Sequence, residues 1–308
     1  MNRSSIPGIT IACLWVTSAI SAPACANIQY TVSYVDPSSA YTAYYSQITA
    51  NLSAAGAIWS SHLVGTTTIN LQVKFDANIP TANAGSTSVV FAYYNGNYNV
   101  YNLGAADKVI HNTATTNSNP DGVITIGTAY LQSELWFDPN PNLRIDQVPI
   151  NQTDAMSVFT HELGHIFGFN GYRNASTGNL PLGPNVFGNY MTRYDENIIF
   201  SEGNLYFNGA SARAAYGNRP VPLTFGNYGH VGNDVPRVGS DLVPDLMNGV
   251  VYYRGTRYEP SAVDLGILSD VGFQLATTAV PEPPSLILIT LGVAAAFIAT
   301  RSRFRAAG

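Results

Sequence analysis

The pentapeptide His161-Glu162-Leu163-Gly164-His165 constrains the fold of this chain more than any other segment, because it predicts a helix with a metal-binding face. Residues four apart lie on one face of an α-helix, so His161 and His165 can present two ring nitrogens to one zinc ion. Glu162 lies beside them, placed to take a proton from a water in the open position of the metal. The chain has only five histidines in 308 residues, so this pattern rarely arises by chance.

The residues around the pentapeptide predict where this helix begins and ends. Asp154 is a good first residue, because its acidic side chain lies at the positive end of the helix dipole. Gly168 follows the last turn and is the residue type that best adopts the left-handed conformation of a helix C-terminus. Four apolar residues form a stripe that leaves out both histidines: Met156, Phe159, Leu163 and Phe167. We therefore expect a helix that is buried on one side and binds metal on another.

Residues 1–26 have the features of a secretory signal peptide. Arg3 supplies the positive start, Ile9–Ile20 is mostly apolar, and Ala24-Cys25-Ala26 is an A-x-A cleavage site. The alternative to cleavage after Ala26 is a mature N-terminus at Cys25 that carries a lipid. Both cysteines of the chain, Cys13 and Cys25, lie in this segment. We therefore expect an exported mature chain without disulfides or cysteine ligands.

The C-terminal residues 280–308 form a second targeting segment. Val280-Pro281-Glu282-Pro283 is followed by uncharged residues up to Thr300 and then by Arg301, Arg303 and Arg305. The uncharged segment would span roughly 25 Å as a helix, against about 30 Å for a hydrocarbon core. An ordinary membrane anchor is one interpretation, but the tripartite pattern resembles the PEP-CTERM sorting signal of Gram-negative bacteria. That resemblance implies recognition by an exosortase, removal of the tail and delivery to the cell surface or extracellular matrix.

The remaining body, residues 27–279, is acidic. It carries ten basic and eighteen acidic residues, since Arg3, Glu282 and the three tail arginines lie outside it. This balance argues against nucleic acid or an anionic membrane surface as a partner.

Periodicity in the body predicts an α+β fold with two lobes, residues 27–168 and 169–279. In the N-terminal lobe we expect a mixed sheet, and the zinc helix ends this lobe. The C-terminal lobe is expected to be largely irregular. The predicted strands are Ile28–Val35, Thr68–Phe75, Thr87–Tyr93 and Gly122–Leu131, and the predicted helices include Tyr41–Leu63 and Ala262–Phe273. The segment Asp107–Asn119 is expected to be irregular.

Two histidines leave the metal site incomplete, because catalytic zinc usually has three protein ligands and a water. His62 and His111 are interpreted as ordinary surface or half-buried histidines. His230 differs, since it lies in the glycine-flanked loop Asn227–Gly232. An acidic third ligand is the alternative, with these candidates: Asp195, Glu202, Asp234 and Glu259.

The order of these motifs resembles leishmanolysin-like metzincin proteases. The matching features are His161–Phe169 with Gly168, a long insertion, the lone His230 and a methionine before the last helix. The resemblance spans Thr153 to Phe273 and implies that His230 is the third zinc ligand and that Met247 forms a turn beneath the metal. Met191 is the other candidate for this turn, but it precedes His230 and so fits the order of the motifs less well. The chain departs from the metzincin pattern at Gly171, where a histidine or aspartate is usual.

The resemblance implies an exported zinc endopeptidase with Glu162 as general base. We expect a peptide substrate to lie extended and to add to Gly122–Leu131 as an edge strand. Some related enzymes use a tyrosine near the metal, but Tyr252 and Tyr253 are interpreted as core residues. A non-catalytic surface or exopolysaccharide-matrix protein is the alternative function, and a zinc hydrolase acting on other substrates is a third.

Overall fold

The computed structural model describes residues 27–113, 119–174, 177–184 and 186–276. The expected signal peptide and the expected sorting signal lie outside these ranges, so both stay predictions. Within the described ranges, no helix has the length and apolar character that a membrane crossing requires.

Helices and strands alternate irregularly along the chain, which confirms the α+β class. The strands are β1 (Asn27–Val35), β2 (Thr66–Asp76), β3 (Ala82–Ser86), β4 (Val89–Tyr94), β5 (Asn99–Leu103), β6 (Gly122–Gly127), β7 (Leu135–Trp136), β8 (Thr153–Asp154), β9 (Tyr190–Thr192), β10 (Ile198–Ser201), β11 (Asn204–Phe207) and β12 (Val221–Pro222). The α-helices are α1 (Tyr45–His62), α2 (Gly104–His111), α3 (Thr128–Ser133), α4 (Ala155–Phe167), α5 (Arg193–Glu196), α6 (Ala210–Ala215) and α7 (Ala262–Asp270).

The largest sheet has the strand order β1-β2-β6-β3. Strands β1, β2 and β6 are parallel, whereas β3 pairs antiparallel with β6. Alternate residues of β2 face the core, so Ile69, Leu71 and Val73 are buried. Two smaller sheets have the orders β4-β5-β9 and β10-β11-β12.

The expectation that Gly122–Leu131 is an edge strand is wrong. Its first part is β6, which is paired on both sides, and from Thr128 the chain continues as helix α3. The edges of this sheet are β1 and β3, and β3 is Ala-Asn-Ala-Gly-Ser in sequence. Small and polar residues have low β propensity, so the sequence gives no strand signal there.

Helices α1 and α4 pack against each other on this sheet. The indole N–H of Trp59 donates to the Thr160 carbonyl at 2.8 Å and joins them. The expectation of irregular structure over Asp107–Asn119 is wrong at its start, because α2 covers residues up to His111. The buried Ala105, Ala106 and Val109 lie on the core side of α2, and burial of that side stabilises the helix.

The last helix confirms the expected start after Ser261, although it ends earlier than expected, at Asp270. Ser261 is its N-cap, and its hydroxyl accepts the N–H groups of Val263 and Asp264 at 3.1 Å each. Residues on both sides of Gly168 contribute to one apolar core. The rings of Phe167 and Phe273, for example, meet edge to face with centroids 5.8 Å apart. The boundary between two lobes at this position stays a prediction.

Candidate metal centre

Helix α4 supplies two of the three histidines at the centre. Asp154 begins the helix as expected, since its carboxylate accepts the N–H of Ser157 at 3.1 Å. The helix continues without interruption to Phe167. Consequently His161 and His165 lie one turn apart, and their Nε2 atoms are 3.1 Å from each other.

The helix ends at Gly168 as expected, but not in the expected conformation. The φ angle of Gly168 is −165°, so the residue is not left-handed. A Cβ atom here would come within 2.7 Å of Leu268 and 3.0 Å of Val271. Glycine allows the side chains of Leu268 and Val271 to pack closely here, and a larger residue would require them to shift.

His230 comes from the loop between β12 and α7. Backbone hydrogen bonds hold this loop: the Thr224 N–H donates to the His230 carbonyl at 2.9 Å, and the Val231 N–H donates to the Met247 carbonyl at 2.9 Å. The Nε2 atom of His230 lies 3.0 Å from that of His161 and 3.0 Å from that of His165. The fold thus brings together histidines that are 65 residues apart in sequence.

The other candidate ligands lie elsewhere. His62 ends α1 and His111 ends α2. Among the residues that the structure describes, only His161, His165 and His230 form a group with metal-ligand spacing. The carboxylates considered as alternative third ligands do not join it: Asp195, Glu202, Asp234 and Glu259.

The hydrogen bonds of the three Nδ1 atoms determine which ring nitrogen of each histidine carries the proton. Each Nδ1 donates to a main-chain carbonyl: His161 to Leu246 at 2.8 Å, His165 to Phe169 at 2.8 Å and His230 to Asn227 at 3.3 Å. A carbonyl oxygen only accepts, so in the neutral ring each Nδ1 carries the proton and each Nε2 presents a lone pair. Three lone pairs converge within 3.1 Å, which is unfavourable without a cation between them. The group could therefore hold a metal ion.

The surroundings keep these rings neutral. Burial, together with the neighbouring His165, lowers the pKa of His161 to about 3. Burial also lowers the pKa of His165, and burial with the two neighbouring rings lowers the pKa of His230 well below its usual range. Metal ligands must be unprotonated, so this environment suits binding of a cation near neutral pH.

Glu162 lies beside the histidines as an unpaired buried acid. Only 4% of its surface is exposed, and burial raises the pKa of its carboxyl to about 8. Its Oε2 atom is buried and has no hydrogen-bond partner among the described residues. A buried polar atom without a partner is costly, so this oxygen is suited to form a hydrogen bond with a bound ligand. The raised pKa also makes the ionised carboxylate a stronger proton acceptor.

The histidines and Glu162 line a cleft of about 520 Å³. One wall is formed by residues 81–84 at the start of the edge strand β3. Residues 227–230 and 248–252 form further parts of the lining. Besides Glu162 and the three histidines, the described lining residues carry no ionisable groups other than tyrosine hydroxyls.

Met247 packs against helix α4. It is completely buried, and a Cβ on Gly164 would meet its Sδ atom at 2.6 Å. A larger residue at position 164 would require the Met247 side chain to shift. The rival Met191 lies in β9, where its sulfur accepts the side-chain N–H of Asn95 at 3.7 Å.

Gly171, where metzincins usually have a third ligand, has a different role here. A Cβ at this position would come within 2.3 Å of the Asp195 carboxylate. That buried carboxylate accepts the N–H groups of Tyr172 at 2.9 Å and Thr192 at 3.0 Å. A larger residue at position 171 would displace this hydrogen-bonded carboxylate.

The two tyrosines after the turn have different environments. The side chain of Tyr253 is 52% exposed, so its interpretation as a core residue is wrong. Tyr252 is half-buried and packs beside His161, with ring centroids 5.4 Å apart. Tyr252 and the Leu246 carbonyl are parts of the site that the sequence did not identify, because neither follows a spacing pattern.

Comparisons with known proteins add nothing to this geometry. No family model, no curated protein and no solved structure matches the chain.

Proposed function

We propose that this protein is an exported zinc-dependent endopeptidase of the metzincin type. The observation that carries the proposal is the convergence of three Nε2 lone pairs beside a buried, unpartnered glutamate in an open cleft. Three neutral imidazoles are a ligand set typical of catalytic zinc sites, which leave a fourth position open. The order of motifs from Thr153 to Phe273 is the second support.

The residues of this chain would have distinct roles. His161, His165 and His230 hold the zinc through their Nε2 atoms. When bound, zinc supplies a Lewis acid that polarises a carbonyl oxygen and acidifies water. Glu162 takes a proton from the attacking water and passes it to the leaving amine. Its free Oε2 faces no competing partner among the described residues, so it is available for both transfers.

The substrate proposed here is an extended peptide. Strand β3 is an edge of the main sheet, and residues 81–84 line the cleft. An edge strand offers unpaired N–H and C=O groups, to which a peptide can add as a further strand. Main-chain pairing of this kind recognises peptides without requiring one particular side chain.

Export is part of the proposal and depends on the two ends of the chain. Residues 1–26 would direct secretion, and residues 280–308 would bind an exosortase-type enzyme before removal of the tail. The protein would then act at the surface or in the extracellular matrix of a Gram-negative bacterium. Its contact with the membrane would be limited to the tail before processing.

Replacement of the proposed general base tests the function. In the full chain, we expect Glu162→Gln to retain zinc and to reduce casein hydrolysis by at least about 100-fold. Metal content is measured by atomic spectroscopy and hydrolysis with labelled casein. Glu202→Gln, at an exposed hairpin turn, is the matched control and should keep full activity.

Two results would contradict the proposal in different ways. Undiminished hydrolysis by Glu162→Gln would exclude Glu162 as the base. A wild-type chain that binds no zinc and cleaves no casein would favour the alternative, a non-catalytic surface or matrix protein.

A further inference from the structure

The hydroxyl of Tyr252 lies on the outer side of His161, away from the other two histidines. Its Oη atom is 3.1 Å from Nδ1 of His161 and 2.5 Å from the Leu246 carbonyl oxygen. Nε2 of His161, on the opposite side of the ring, faces His165 and His230. Tyr252 therefore touches the first histidine through the nitrogen that does not face the metal position.

The three groups form a closed hydrogen-bonded set. The Leu246 carbonyl can accept two hydrogen bonds, one from Nδ1–H of His161 and one from the Tyr252 hydroxyl. The hydroxyl oxygen faces the same Nδ1–H from a second direction. This set favours the tautomer of His161 that has a free Nε2 lone pair, and it restricts rotation of the ring.

Packing fixes the position of Tyr252 itself. Its ring stacks on Tyr258, with centroids 4.3 Å apart and planes at 25°. The N–H of Tyr258 donates to Ser157 Oγ at 2.8 Å, and that hydroxyl donates to the Asp154 carboxylate at 2.6 Å. The contacts thus return to the N-terminus of α4, the helix that carries His161. Tyr252 is held relative to the metal helix at two points, so its hydroxyl has a defined position.

We propose that Tyr252 is a positioning residue that orients His161 for metal binding through the Leu246 carbonyl. The proposal rests on the metal site of the proposed function but not on proteolysis. Hydrogen-bond partners of a ligating histidine raise its basicity and fix its ring, and their loss typically weakens metal binding 10- to 100-fold. Tyr252 acts through His161 and needs no contact with substrate.

Removal of the single hydroxyl tests this role. Tyr252→Phe in the full chain retains the ring that stacks on Tyr258, and the Leu246 carbonyl still accepts from His161. We expect its zinc affinity, measured by competition with a chelator, to fall by about 10- to 100-fold. The visible absorption spectrum of the cobalt-substituted protein should change as well, because the geometry of one ligand is altered. The neighbouring Tyr253→Phe has a similar chemical change at an exposed position and should bind zinc as the wild type does.

The outcomes separate this inference from the proposed function. A fall in affinity for Tyr252→Phe alone, with unchanged thermal unfolding of the metal-free chain, supports the positioning role. Equal zinc affinity and equal cobalt spectra for wild type and Tyr252→Phe overturn it, even if casein is cleaved. A Tyr252→Phe chain whose metal-free form unfolds at a lower temperature, and whose cobalt spectrum matches the wild type, also overturns it in favour of a structural role. Failure of the wild type to bind zinc overturns the metal site and this inference together.

Discussion

Helix α4 and the loop of residues 223–252 both contribute histidines to the centre, but different interactions hold them. In α4, regular backbone bonding and a capped N-terminus place His161 and His165 one turn apart. The loop has little regular structure and depends on side chains that bond to its backbone. Buried Asn233, for example, accepts the Phe225 N–H at 2.7 Å and donates to the Leu223 carbonyl at 3.0 Å.

This difference shows where the precision of the site originates. A helix fixes its residues by local geometry, so most substitutions on α4 leave the spacing of the histidines unchanged. The loop fixes His230 by a few individual contacts, each of which can be removed by one substitution. Buried polar groups that lose a partner are costly, so the loop is the more vulnerable of the two regions.

The largest expected effect comes from removing a histidine in either region. His165→Ala and His230→Ala should each reduce zinc affinity by more than about 100-fold. Loss of a residue that only hydrogen-bonds to a ligand already weakens metal binding by up to about 100-fold, and loss of a ligand should cost more. Both residues are expected to bind the ion directly, although one lies on the helix and the other in the loop. Chelator competition measures the affinity, and the exposed His111→Ala is the control. If His230→Ala binds zinc like the wild type, the loop has no part in the site.

A smaller effect, on the free energy of unfolding, is expected from a substitution that removes hydrogen bonds of the loop but keeps the three histidines. Asn233→Ala leaves the Phe225 N–H and two carbonyls, those of Leu223 and Val238, without their partner. We expect the free energy of unfolding to fall by about 3 kcal/mol, measured by urea denaturation. Asn179→Ala, at an exposed loop position, should change it by less than about 0.5 kcal/mol. Equal effects of the two variants would mean that the loop does not depend on these bonds.

The smallest effect, expressed per pH unit, is on the free energy of unfolding. It comes from Asp264 of α7 and its neighbour Asp245 in the loop. Burial, the nearby Asp245 and a hydrogen bond between the two side chains raise the pKa of Asp264 well above its usual range. Asp245 also accepts the Met247 N–H at 2.9 Å, and Asp264 accepts the Ser261 N–H at 2.8 Å. Tyr252 is the other titratable group that interacts with both carboxyls.

The sign of the pH effect follows from this raised pKa. The folded state keeps a proton that the unfolded chain releases above about pH 4. The contribution of Asp264 to stability is therefore greatest at low pH and falls as pH rises towards the folded pKa, by at most about 1.4 kcal/mol per pH unit. Asp264→Asn keeps an oxygen for Ser261 and is always neutral, so the decline in the free energy of unfolding from pH 5 to 8 should become shallower by up to about 1.4 kcal/mol per pH unit. The raised pKa of Glu162 leaves a decline of the same sign in this variant. Asp234→Asn, at an exposed site, should keep the wild-type slope, and an Asp264→Asn slope equal to that of the wild type would contradict a proton held by Asp264.

Some of the fold could be predicted because it depends on local patterns. Alternating apolar residues identified β1 and β2, and helical spacing identified most of α1 and α7. Asp154 and Ser261 were recognisable as N-caps from residue type alone. In each case a side chain within a few residues decides the conformation.

Other elements could not be predicted because their stability is tertiary. Strand β3 has small, polar residues and exists because β6 offers it an edge to pair with. Gly168 was expected to be left-handed, but its φ angle is −165°, and Leu268 of α7 lies within 2.7 Å of where a Cβ atom would be. The role of Tyr252 depends on a carbonyl six residues earlier and on a histidine in another element.

The sequence by itself determined that His161, Glu162 and His165 lie on one helix, since helical periodicity places residues four apart on one face. It also determined His230 as the best candidate for a third histidine, because few histidines exist to choose from. Only the tertiary structure decided that His230 reaches the other two, that β3 borders the cleft and that Tyr252 supports His161. These features depend on contacts between residues distant in sequence, for which no local spacing rule exists.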